Sequence, residues 1–179
     1  MIAKIIRKMT KRLRVLQALR HAVSDTEQRL ANKKIHKILV LCYGNIYRSP
    51  LVAQYLLDNL ETNVEVRSAG FHPKPNRPSP EAHVKMCAEY NIDLTKHRST
   101  VISRELTEWA DRIVIMDKHN WYALADYGDE ALAKAVWLGA LLGRRAGEIL
   151  DPYGKPENEA RAIVQQLLES SKQLVARLK

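Results

Sequence analysis

Cysteine, phenylalanine and glycine are all scarce in this chain of 179 residues, with two, one and seven copies. Two thiols, Cys42 and Cys87, cannot build the disulfide framework of a small secreted domain, so a reducing, cytoplasmic setting is the simpler expectation. No apolar run approaches the ~18–20 residues needed to cross a bilayer. Basic residues interrupt the N-terminal segment throughout, which excludes a continuous signal-peptide core. The chain is long enough for one domain to bury about 70% of its unfolded surface, so it needs neither a metal nor a disulfide as a staple. No internal repeat or low-complexity tract is present.

The charge that is there is unevenly placed. Residues 1–34 hold ten Lys/Arg against Asp25 and Glu27, whereas the other residues hold nineteen bases against eighteen acids. The high isoelectric point therefore belongs to an N-terminal extension, and no nucleic-acid partner is expected for the main domain over residues 35–179. In the extension Ile2, Ile5, Met9, Leu13, Leu16, Leu19 and Val23 recur at helical spacing, with Lys4, Lys8, Lys11 and Arg12 on much of the other face. Ser24-Asp25-Thr26-Glu27 reads as a capping box that breaks and restarts this helix, and residues 31–36 as a linker. Such a basic amphipathic helix suits packing on the domain, self-association, an organellar address, or contact with a membrane surface through residues 1–23.

From Lys37 onward short strands alternate with longer helices. Strands are expected at 38–42, 64–67, 112–116 and 135–138, all rich in Val, Ile and Leu. Helices are expected at 49–60, 80–90, 103–109 and 157–178, the second N-capped by Ser79 with Pro80 at its first position. This alternation predicts an α/β fold, a single three-layer domain with a four-stranded parallel sheet flanked by helices. Ligands of such sheets lie at the carboxyl ends of the strands, which is where Cys42 falls.

Residues 42–50 read Cys-Tyr-Gly-Asn-Ile-Tyr-Arg-Ser-Pro, between the first strand and the first helix of the main domain. A turn of this kind gathers backbone N–H groups at a helix N-terminus, the standard way of holding a phosphate. The amides of Tyr43, Gly44, Asn45, Ile46 and Tyr47 are its candidate donors. Gly44 lets the loop turn and approach an anion closely, and Asn45 suits a left-handed residue whose amide ties the loop. Arg48 offers a planar fork for two oxyanion oxygens. Cys42 is a sulfur nucleophile favoured as the thiolate by the helix terminus and the guanidinium, with Ser49 placed to hydrogen-bond the sulfur. Taken alone, Asp151-Pro152 reads as a turn and His97 as an ordinary histidine.

The segment resembles the signature of the low-molecular-weight protein tyrosine phosphatases, Cys-x-Gly-Asn-x-Cys-Arg-Ser-Pro. The resemblance continues through Ser68-Ala69-Gly70, Asn91-Ile92-Asp93-Leu94, His97-Arg98, Val114-Ile115-Met116-Asp117 and Asp151-Pro152-Tyr153, covering about residues 36–178. It implies that Cys42 forms a cysteinyl-phosphate while Arg48 and the loop amides hold the phosphoryl oxygens, and that Asp151 protonates the leaving phenolate and then activates water. It further implies that Tyr153 lines the cleft, that Asn45, Ser49, Ser68 and His97 brace the loop, and that no metal or cofactor takes part. The implied partner is a phosphotyrosine protein. The style of the match, notably residues 149–153, points to bacterial members paired with membrane tyrosine kinases of exopolysaccharide assembly.

Tyr47 departs from the pattern, because it stands where many members carry a second cysteine able to form a disulfide with the nucleophile. Phe71 or His72 takes the place of an aromatic common after Ser68-Ala69-Gly70, and Gly154 that of a second aromatic after Tyr153. Two alternatives stay open on the same fold. An arsenate reductase needs two further thiols, and only Cys87 remains. A non-catalytic phosphotyrosine reader would be expected to lack Cys42, Arg48 or Asp151, and all three are present.

Overall fold

The computed structural model describes residues 2–31, 35–143 and 147–179. Its sheet is built from β1 (Lys37–Cys42), β2 (Glu65–Gly70), β3 (Arg112–Ile115) and β4 (Ala135–Trp137), all parallel in the order β2-β1-β3-β4. The helices are α1 (Ile2–Arg20), α2 (Ala22–Leu30), α3 (Arg48–Asn59), α4 (Glu81–Ala88), α5 (Arg104–Trp109), α6 (Lys118–Leu124), α7 (Asp129–Ala133) and α8 (Glu157–Leu178). The expected α/β class and four-stranded parallel sheet hold. Short α6 and α7, and a 3-10 turn over Leu138–Leu142, add to the expected helices.

Alternation along the strands sends side chains to two cores. Ile38, Val40 and Cys42 of β1 join Leu51, Leu56, Met86, Val164 and Leu167 on one face, while Leu39 and Leu41 join Ile113, Ile115, Trp121 and Trp137 on the other. With both faces covered, a strand such as Ile38–Cys42 has no polar alternation to show. The connection from β1 runs to β2 on one side and the next returns to β3 on the other. A crevice therefore opens at the carboxyl end of β1.

Several local expectations are corrected. Helix α4 begins at Glu81 with Pro80 as its N-cap, and the buried Ser79 hydroxyl caps nothing and has no partner among the described residues. The strand expected at 64–67 runs on to Gly70, because its parallel pairing with β1 continues to Cys42; on its other side Gly70 N donates to Thr100 O and Ile102 N to Gly70 O, each at 2.9 Å. The N-terminal helix breaks at His21 rather than at the Ser24–Glu27 box. Asn32–Lys34, in the expected linker, and the side chains of Ile2, Lys4, Ile5 and Lys8 lie outside the described residues.

The extension packs on the domain, but not through its apolar row. Met9, Leu13 and Leu16 are exposed, and α1 turns Val15 and Ala18 inward instead. Lys11, assigned by periodicity to the polar face, sits 4.0 Å over the Tyr122 ring and bonds Asp126 at 2.8 Å. Of the row's described side chains, only Leu19 and Val23 at its end reach the core. Helix α2 lies along β4, the edge strand, whose free backbone groups would otherwise invite pairing with another chain. Trp137 N donates to Thr26 Oγ1 at 3.0 Å, Arg29 donates to Ala135 O, and Arg112 Nε donates to Arg29 O at 2.8 Å. Thr26 is fully buried. Its replacement by the near-isosteric valine is expected to leave the Trp137 N–H unpaired and to cost about 1–3 kcal/mol, read as a lower midpoint in urea unfolding. An unchanged midpoint would show that α2 does not stabilise this edge.

Candidate active site

Strand β1 delivers Cys42 to the crevice, and residues 43–47 turn there before α3 begins at Arg48. The left-handed backbone of the turn is at Asn45, φ 50°, not at Gly44. Space at Gly44 is tight all the same, since an added Cβ would lie 3.2 Å from Ile46 Cγ1. The more demanding glycine is Gly70 at the end of β2. A Cβ there would meet Tyr43 O at 2.7 Å and Asn45 N at 2.8 Å, so only glycine lets the strand support the loop.

Asn45 ties the turn together. Its Nδ2 donates to Ser49 Oγ and to Ser68 Oγ, each at 2.9 Å, and its Oδ1 accepts from Thr100 N at 2.7 Å. Its carbonyl accepts from His97 Nε2 at 2.7 Å, and the Tyr47 carbonyl accepts from His83 Nε2 at 3.0 Å. Burial lowers the pKa of both histidines. Each therefore serves as a neutral ring that donates from Nε2. Ser68 and His97 thus sit where the resemblance placed braces. His83 is a further brace that the sequence did not mark, and its only signal was its place on a helical face three residues after Pro80.

The sulfur of Cys42 lies 3.0 Å from Ser49 Oγ and 3.2 Å from Asn45 N. Because Asn45 donates to the Ser49 oxygen, the hydroxyl proton of Ser49 is free to point at the sulfur. The amides of Gly44, Ile46, Tyr47 and Arg48 have no internal acceptor among the described residues. A row of unpaired N–H groups at a helix start is an anion site.

Arg48 is 1% exposed. Its Nη1 donates to Asp117 Oδ2 at 2.5 Å and to Ile149 O at 3.0 Å, and its Nη2 donates to Asp151 Oδ2 at 2.5 Å. Burial opposes its charge, but Cys42, Asp117 and Asp151 together outweigh that effect and raise its pKa. Its Nε is buried without a partner among the described residues, and such an orphan N–H is costly unless something accepts from it. An oxyanion in the loop can do so, and it competes with Asp151 for Nη2. Asp117 was visible in the sequence only as part of a matched motif. It N-caps α6 through Asn120 N at 2.9 Å while fixing the guanidinium.

These groups open on a cleft of about 290 Å3. Cys42 and Asp151 line it, 109 positions apart in the chain, beside an aromatic wall of Tyr43, Tyr47 and Tyr153, with Ile46 also in the lining. Tyr47 packs on His83 with ring centroids 4.8 Å apart and meets Tyr153 edge-on at 6.2 Å. It therefore both packs on the domain and faces the cleft. Burial and the neighbouring Asp151 raise the Tyr47 pKa, so its phenol is neutral. Of the two aromatics weighed for the loop after Gly70, His72 lines the cleft, edge-on to Tyr43, and Phe71 joins the core. Cys87 is fully buried, 3.4 Å from His83 Nε2, and burial pushes its thiol up to about 12. It is not a thiol that could relay a disulfide outward.

Residues 37–179 match the model of a family described as low molecular weight phosphotyrosine protein phosphatase. The low molecular weight protein-tyrosine-phosphatase Wzb of Salmonella typhi is 32% identical over 138 residues, 77% of this chain and 91% of the relative. A protein-arginine-phosphatase of Geobacillus stearothermophilus is 30% identical over 132 residues, 74% and 88% of the two chains. Among solved structures, Vibrio vulnificus Wzb in complex with benzylphosphonate superposes with a TM-score of 0.74 at 28% identity, covering 80% of this chain and 99% of that one.

Arg48→Lys keeps the positive charge but cannot hold Asp117, Ile149 O and an oxyanion together. Inorganic phosphate is expected to bind this variant about 10–100-fold more weakly, measured by calorimetric titration. Equal affinity would mean that the guanidinium fork does not hold the anion.

Proposed function

We propose that this chain, which belongs to the low molecular weight phosphotyrosine protein phosphatase family, hydrolyses phosphotyrosine in proteins through a cysteinyl-phosphate. The observation that carries the reading is the meeting of Cys42, Arg48 and Asp151 at one cleft with an aromatic wall. The phosphoryl group sits on the loop amides and on Arg48. The Cys42 thiolate, held by Ser49, attacks phosphorus as the phosphorus–oxygen bond to the tyrosine breaks. Amides and guanidinium stabilise the equatorial oxygens where charge accumulates. Asp151, displaced from Arg48 by the arriving oxyanion, takes up a proton from solvent and gives it to the phenolate. It then takes a proton from the water that cleaves the phosphorus–sulfur bond, which releases phosphate and restores the thiolate.

The arginine phosphatase among the relatives makes phosphoarginine the competing substrate. The rings of Tyr43, Tyr47 and Tyr153 beside Ile46 suit a phenyl group, and the cation Arg77 in the same lining disfavours a substrate that carries a guanidinium. The reading is tested with p-nitrophenyl phosphate, a phosphotyrosine peptide and a phosphoarginine peptide. The two aryl phosphates are expected to turn over and Cys42→Ser to abolish both activities. Faster release of phosphate from phosphoarginine, or full activity in Cys42→Ser, would overturn it.

A membrane tyrosine kinase is the substrate that the extension fits. Among the described residues no helix is long and apolar enough to cross a membrane. Helix α1 instead presents Met9, Leu13 and Leu16 to solvent with Arg12 and Arg20 also exposed, the pattern of a helix that lies in a lipid interface at the cytoplasmic face. The full chain is expected to co-sediment with anionic vesicles, and Leu13→Glu with Leu16→Glu to release it. Equal sedimentation of the two would remove the membrane contact.

A further inference from the structure

Among the described residues Lys74, Arg77 and Arg98, on one flank of the cleft, form no ion pair with a carboxylate. The segment 71–80 contains Lys74 and Arg77 without an acid, and the neighbouring 93–100 contains Lys96, which faces Asp93, and Arg98. Backbone hydrogen bonds lock the two segments side by side, Asn76 N to Ser99 O at 2.7 Å and Ser99 N to Arg77 O at 2.9 Å. Across Tyr47 the cations are neutralised locally, Lys85 by Glu81, Lys155 by Glu159 and Arg161 by Glu89. The unpaired charge is thus confined to one flank of the cup.

Arg77 joins that flank to the cup. It lines the cleft and donates from Nη2 to Gly44 O at 2.5 Å and from Nε to Lys74 O at 3.0 Å. Both acceptors are neutral carbonyls, so the guanidinium keeps its full charge. Nη1 has no partner among the described residues. The one carboxylate in the same lining, Asp151, is directed at Arg48 in the ligand-free protein and makes no ion pair with Arg77. A cation fixed by neutral groups beside a substrate cleft, with further cations outside it, is the electrostatic complement of an acidic chain.

We infer that Arg77, backed by Lys74 and Arg98, reads acidic side chains next to the phosphotyrosine, so that the preferred substrates are phosphotyrosines in acidic segments. The inference rests on the phosphotyrosine-phosphatase reading and adds a selectivity to it. Exposed charge pairs of this kind each change binding by about 1.5- to 5-fold. The contribution falls as salt shortens the Debye length from about 8 Å under physiological conditions to about 3 Å at 1 M.

The test uses two phosphotyrosine peptides that differ only in glutamate or glutamine at the flanking positions. For the full chain, kcat/KM is expected to favour the glutamate peptide by about 2- to 10-fold, mainly through KM, with the ratio falling towards one in 1 M salt. Arg77→Gln and Lys74→Gln each shrink the ratio, whereas Arg77→Lys retains most of it. Each variant is normalised to its own turnover of p-nitrophenyl phosphate, so that damage to the cup lowers both peptides alike and leaves the ratio unmoved. Equal kcat/KM for the two peptides, or a ratio that survives Arg77→Gln combined with Lys74→Gln, overturns the inference and leaves the phosphatase reading intact. If no aryl phosphate is hydrolysed at all, that reading fails and the inference falls with it.

Discussion

Asn45 reaches three partners in three directions from a backbone that few non-glycine residues adopt. Its amide nitrogen spans Ser49 and Ser68, and its amide oxygen takes Thr100 N. Those partners belong to α3, to β2 and to the chain after His97, so one side chain locks the loop to three separate pieces of the fold. The geometry around Cys42 follows from this arrangement. Ser49 faces the sulfur because Asn45 already occupies its oxygen, and Asn45 N reaches the sulfur because the residue is left-handed. A buried polar network of this kind is worth having only when every member is satisfied, and here Gly70, His97 and His83 provide the room and the remaining donors.

Arg48 shows the same economy on the other side of the sulfur. A buried guanidinium needs compensating charge, and Asp117, Asp151 and the Ile149 carbonyl supply it in the ligand-free protein. Asp151 therefore has two positions to reconcile, one against the arginine and one against a leaving group. Of the two carboxylates on Arg48, Asp151 is the partly exposed one and is open to displacement, whereas Asp117 is held in the interior at the start of α6. A single cation can thus be kept charged while buried and still present two N–H groups to an arriving oxyanion.

The extension illustrates how a hydrophobic pattern can identify a helix without deciding which side the domain covers. Met9, Leu13 and Leu16 of the apolar row stay exposed, while Val15, Ala18 and Ala22 face the domain. Helix α2 adds what periodicity does not encode, hydrogen bonds from Thr26 and Arg29 to the backbone of an edge strand.

The order of strands and helices, the parallel sheet and the loop from Cys42 to Pro50 were legible from the sequence, because apolar runs, turn residues and the Cys-x5-Arg spacing act over a few residues. So was the chemistry that Cys42 and Arg48 can perform together. Asp151 could be assigned only through its resemblance to a family, for an Asp-Pro pair has no local feature that separates an acid from a turn. The roles of Asp117 and His83, the need for glycine at position 70, and the unpaired flank around Arg77 were decided by tertiary structure alone. Each depends on which backbone group or charge lies within a few ångströms across the fold, and sequence separation carries no such information.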